Sequence, residues 1–236
     1  IDGMLRSALS WSEIWITILD TASKAQQMND IDSVISLIQK GFTMIEHPQC
    51  EVDRAFLMQF GSSLQKSKYR FERYKEEYQK HQGKEISYII HREMWDPMKL
   101  LYAEMEDKVK KIDKIQLTKI SSKLASTRNF SLSIPGTYHV NDKSPQLDYI
   151  DPILTVLSSQ QRPRAAYMND TDGQKYKFLL KGNEDLRLDQ RIMQFFNLVN
   201  LFLKNNRNTE KFGVSILDYA IIPIDPHAGL IAWVTG

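Results

Sequence analysis

"FLLKGNEDLRLDQRIMQFFNLVN", residues 178–200, is the stretch whose reading decides the fold. An apolar run ends in Lys181, and the acids Glu184, Asp185 and Asp189 follow closely. Apolar residues then recur at three- and four-residue spacing, as they do along one face of a helix. The reading is a strand, an acidic turn and a helix. An ammonium at the end of a buried strand loses roughly several kcal/mol of hydration unless an anion meets it. Lys181 therefore calls for a carboxylate, a phosphate or both, with Asp189 carried near the first turn of the helix, back towards the strand. An ordinary exposed lysine beside a solvated acidic turn fits the same spacing, which alone does not choose.

Outward from this stretch, the second half of the chain reads as strands. "FSLSIPGTYHV" (130–140) alternates apolar and polar residues and turns at Pro135-Gly136. Strands are expected at 153–157, 164–168, 176–180, 215–224 and 231–234, with "NDTDG" (169–173) as a tight turn and a long helix at about 187–204. One helix on a mainly antiparallel sheet makes this half α+β.

Residues 9 to 112 lack strand-like alternation and read as four helices. Ser10 is an N-cap with Glu13 three residues on, and Trp11 and Trp15 belong to the apolar stripe behind it. The second helix follows Asp30 and ends near Pro48. The third runs from about Val52 into "KSKYRFERYKEEYQKHQGK", whose alternating charges support a solvated face, with Gly83 as its stop. In the fourth, Pro97 should produce a kink. Short joins make an antiparallel four-helix bundle the expected arrangement. The expected units are a bundle at 1–112, a connector at 113–133 and a sheet domain at 134–236.

The 31 basic and 29 acidic residues nearly cancel, so charge implies neither nucleic acid nor a membrane surface. The longest apolar stretches fall far short of the ~20 residues of a transmembrane helix. Cys50 has no second cysteine to pair with, which fits a reducing compartment. The five histidines lack metal-ligand spacing. Because the chain begins at Ile1 and ends just after an apolar strand, a fragment of a longer protein is expected.

No glycine-rich phosphate loop of either common pattern occurs. Between the first two strands of the sheet stands "SSQQRPR" (158–164), whose hydroxyls and amides can approach a phosphate, and which a plain hairpin loop explains equally well. A lysine held by an acid from the following helix is how protein kinases grip phosphate. "QRPR", "FLLKGNEDLRLDQRIMQFFNLVN", "YAIIPI" and "GLIAWV" together resemble the N-terminal kinase lobe of the phosphatidylinositol 3-kinase-related protein kinases, closest to the target-of-rapamycin (TOR) type. "IPGTY" (134–138) and "SSQQRPR" favour that type over the DNA-dependent and nonsense-mediated-decay types. "WSEIW", Ala22-Ser23, Phe56 with Phe60-Gly61, and Trp95-Asp96 are similar to the FKBP–rapamycin-binding (FRB) domain that precedes the TOR kinase domain.

The resemblance implies an ATP-dependent serine/threonine protein kinase of growth and nutrient signalling. It implies that Lys181 holds the ATP phosphates, that Asp189 orients it with Glu184 close by, and that Ser159 reaches the phosphates. Leu179, Tyr219 and Ile231 are then the adenine pocket, and Trp233 and Val234 the hinge. On periodicity alone these apolar residues read as core. Ser23, Trp95 and Asp96 match the rapamycin groove, but Gln26, Gln27, Arg92 and Lys99 make it polar, so FKBP–rapamycin binding is expected to be weak or absent. The bundle is expected to gate or recruit protein substrates. The catalytic aspartate and the Mg²⁺ ligands belong to a C-terminal lobe after Gly236, so the 236 residues alone are expected to be inactive. TOR-complex-type subunits and cytoplasmic residence, with endomembrane or nuclear association, are family expectations. A non-catalytic scaffold is the alternative, and another kinase of the same superfamily is a third reading.

Overall fold

In the computed structural model, residues 1–80, 87–138 and 143–234 are described. In chain order the elements are α1 (Asp2–Ala8), α2 (Trp11–Gln27), α3 (Ile31–Met44), α4 (Glu51–Lys80), α5 (Tyr88–Lys110), β1 (Lys114–Gln116), α6 (Leu117–Ile120) and α7 (Ser122–Ser126). Then follow β2 (Leu147–Ile150), β3 (Ile153–Val156), β4 (Arg164–Asp170), β5 (Lys175–Gly182), α8 (Arg187–Asn205), α9 (Arg207–Glu210), β6 (Ile221–Asp225) and β7 (Ala228–Ala232). The class is α+β, in two compact units, Leu9–Ile112 and Ile1–Ala8 with Asp113–Gly236.

The four helices α2 to α5 form the first unit. Ser10 caps α2 with the reciprocal geometry its sequence announces: its backbone N–H donates to Glu13 Oε2 at 2.8 Å, and its hydroxyl accepts from the Glu13 amide. Trp15, Ile38, Phe42, Phe60, Phe71 and Met94 close the core, and Trp11 packs at its margin. Helix α5 continues across Pro97 as one element. The expected stop at Gly83 lies outside the described residues.

The second unit is a seven-stranded antiparallel sheet ordered β1-β3-β4-β5-β7-β6, with β2 also paired to β4. Its core gathers Leu154, Ala166, Met168, Phe178, Leu180 and Leu230 together with Met4 and Ala8 of α1. Residues 1–8, placed with the bundle in the sequence reading, pack here because Met4 and Ala8 bury against the sheet.

The last strand, expected at 231–234, runs instead over Ala228–Ala232, and two further strands expected from alternation differ more. Over 130–138 the backbone is irregular apart from one bridge between Ser133 and Gln146; the turn at Pro135-Gly136 is present, with Gly136 at φ +79°. His139 and Val140 lie outside the described residues. The strand expected from 215 begins only at Ile221. The reason is visible at Ile216, whose carbonyl accepts from Asn200 Nδ2 at 2.8 Å and whose amide donates to Asn200 Oδ1 at 2.7 Å. A side chain of α8 takes the two bonds that a neighbouring strand would otherwise make. β1, β2 and the short helices α6, α7 and α9 were not anticipated, since three- to five-residue elements carry too few side chains to show a period.

Candidate functional site

Strand β5 alternates as a half-buried strand must. Phe178, Leu180 and Gly182 are buried, whereas Lys177, Leu179 and Lys181 take the other face. The antiparallel register sets Leu179 opposite Ile231 and Lys181 opposite Gly229, and on the next strand Ile221 is opposite Ile231. Residues directly opposite share a face. One strip of sheet therefore carries Lys181, then Leu179 with Ile231, then Lys177 beside Trp233, whose backbone N–H donates to the Lys177 carbonyl at 2.9 Å.

At the lysine end, Lys181 Nζ lies 3.0 Å from Glu184 Oε2, with both side chains about three-quarters covered. Glu184 Oε2 is buried, and this ion pair is its contact although the angles do not make a hydrogen bond. The turn holding Glu184 is fixed twice. Its amide donates to the His227 carbonyl at 3.3 Å, and Asn183 adopts φ +57°, a left-handed conformation that asparagine tolerates. Asp185 grips Arg187 through both carboxylate oxygens, which holds its carboxyl well below the usual range, at about 2.

Asp189 stands in the first turn of α8, where the helix dipole favours an acid. The sequence reading makes it the partner of Lys181; among the described residues the acid within ion-pair distance is Glu184. The turn at Asn183 brings Glu184 back over the strand end, whereas Asp189 is carried on the helix.

Leu186, buried just before α8, explains Gly229. A Cβ there would sit 2.8 Å from Leu186 Cδ1 and 2.7 Å from the Ile222 carbonyl oxygen. Gly229 thus leaves Leu186 room to anchor the start of the helix beside Lys181.

Ser159 is exposed in the β3–β4 loop. Its amide donates to the Leu157 carbonyl at 3.0 Å and its carbonyl accepts from the Arg162 amide at 3.0 Å, which curls the loop into a turn. Because Arg164 opens β4 opposite Leu180, this loop leaves the sheet at the Lys181 end. Tyr219 is half-buried two residues before Ile221, and Val234 ends the described chain. The sequence reading did not single out Lys177 and Gly229. The period-two run of Lys175, Lys177, Leu179 and Lys181 was the available signal for the first.

In the bundle, Ser23 is half-buried on α2 and Trp95 is only 6% exposed, a member of the core. Asp96 is exposed and pairs with Arg92 at 3.0 Å. Gln26 accepts from the Tyr74 hydroxyl at 3.3 Å.

Residues 3–107 match the family described as the FKBP12-rapamycin binding domain, and residues 175–236 match phosphatidylinositol 3- and 4-kinase. The chain belongs to the phosphatidylinositol 3-kinase-related protein kinases. It is 32% identical over 233 residues to Serine/threonine-protein kinase TOR of Oryza sativa subsp. japonica, covering 98% of this chain and 9% of that one. To Serine/threonine-protein kinase tor1 of Schizosaccharomyces pombe it is 30% identical over 233 residues, 98% of this chain and 10% of that one. Serine/threonine-protein kinase SMG1 of Danio rerio matches at 30% over 60% of this chain and 4% of its own length. Among these kinases the TOR relatives thus match both halves, and the chain spans about a tenth of their length.

Proposed function

We propose that this chain is the ATP-gripping and substrate-gating part of a serine/threonine protein kinase of the TOR type. The observation that carries the reading is the Lys181–Glu184 ion pair at 3.0 Å, at the end of the strip bearing Leu179 and Ile231. An ammonium held by one acid keeps two further donors for phosphate oxygens. Ser159 on the adjoining loop adds a hydroxyl, and Asp189, in the first turn of α8, is the acid that the family resemblance assigns to orienting the lysine. The flat apolar surface of Leu179 and Ile231, with Tyr219, Trp233 and Val234, is suited to a purine base.

ATP supplies the phosphoryl group, and the residues above bind and orient it. Transfer also needs a proton-accepting aspartate and Mg²⁺ ligands. Under this reading those groups belong to a C-terminal lobe, and the 236 residues alone transfer no phosphate. The bundle recruits or restricts protein substrates, TOR-complex-type subunits are the expected partners, and FKBP–rapamycin engages it weakly or not at all.

The test is calorimetric titration of ATP into the full-length protein and its Lys181→Met variant. Micromolar binding lost in the variant supports the reading. A wild type that binds no ATP, or a variant that binds it equally, overturns it.

A further inference from the structure

Among the described residues no acid pairs with Lys177. Two residues before it, Lys175 is paired with Asp151 at 2.5 Å. The Lys177 Nζ lies 3.3 Å from the centroid of the Trp233 indole and 5.9 Å from that of Tyr167. The backbone bond between Trp233 and Lys177 holds the two side chains at one level of the strip, next to Leu179 and Ile231.

We propose that Lys177 limits the affinity of this strip for a purine base, its ammonium contending with the base for the face of the Trp233 indole. The inference rests on reading the strip as a nucleotide site. An aromatic face is the negative part of the ring's charge distribution, so it attracts an ammonium and also offers a stacking surface for a neutral base. The two cannot occupy the same face together. A base that stacks there must first send the ammonium out to water, and the lost cation–π attraction is subtracted from its affinity. Lys181, four residues along the same face, stands at the phosphate end and takes no part in this competition.

The competition predicts a pattern that a phosphate-binding role for Lys177 does not. In the full-length protein, Lys177→Met and Lys177→Gln remove the charge and keep length, while Lys177→Arg retains a cation that stacks on indole. Dissociation constants for ATP and for adenosine, which carries no phosphate, are measured for all four proteins. The expected result is about two- to fivefold tighter binding of both ligands in the Met and Gln variants, and little change in the Arg variant. Weaker ATP binding with adenosine unchanged would assign Lys177 to the phosphates and overturn the proposal, as would no change for either ligand. A wild type that binds neither ligand would overturn the reading of the site itself.

Discussion

Lys181 and Glu184, three positions apart, meet at 3.0 Å at the end of the strip that Leu179 and Ile231 continue. Partial exposure limits what such a pair adds to folding, about 0–1 kcal/mol. Its consequence lies in orientation. Glu184→Gln should leave the melting temperature within a degree or two yet weaken ATP binding about 10- to 100-fold, because a charge-assisted contact is worth roughly 1.5–3 kcal/mol. Calorimetry together with thermal unfolding checks this, and an unchanged affinity would separate Glu184 from the phosphate site.

Gly229 and Gly61 are expected to respond in opposite directions to alanine. At Gly229 the new methyl meets the Ile222 carbonyl oxygen at 2.7 Å and the Leu186 side chain at 2.8 Å, so Gly229→Ala should cost about 1–3 kcal/mol. Gly61 lies inside α4 with nothing within 4 Å of its would-be Cβ. Gly61→Ala should therefore stabilise the bundle by about 1 kcal/mol. Urea unfolding of the two variants reads both signs.

Under the proposed reading, Ser23, Gln26, Gln27, Arg92 and Lys99 stand at positions of the groove that would meet FKBP–rapamycin. Replacing Gln26 and Gln27 by phenylalanine exchanges polar for apolar surface, and burying one such ring contributes about 1.5–3 kcal/mol. FKBP–rapamycin should bind the double variant about 10- to 100-fold more tightly than the natural chain. Surface plasmon resonance with immobilised FKBP–rapamycin measures it, and tight binding to the unaltered protein would contradict the expectation.

His91 on α5 gives a pH dependence. Burial first, and the Lys99 charge second, hold its pKa below the usual histidine value. The folded bundle thus favours the neutral ring, and protons bind the unfolded chain more readily. Stability is full above about pH 6.5, the ordinary histidine value, and falls as the pH drops below it. The loss in melting temperature between pH 7.5 and 5.5 should be smaller for His91→Gln than for the natural chain; equal losses would show that other groups carry it.

Much of this was legible in the linear chain, and for local reasons. The Ser10–Glu13 cap, the four helical stretches and the strand ending in Lys181 depend on residues no more than a few positions apart, where side-chain period and capping chemistry act. The acidic turn put carboxylates within reach of Lys181, and that availability is what the sequence by itself determined; the same spacing also fitted a solvated lysine.

Only tertiary structure decided which acid it was, because the turn brings Glu184 back over the strand while α8 carries Asp189 on its own surface. Pairing across the sheet set Leu179 against Ile231 and Lys177 beside Trp233, partners more than fifty residues apart. At 215–220 the alternating pattern lost to Asn200, which holds the Ile216 backbone from another element. A strand needs a neighbour, and no local pattern can supply one.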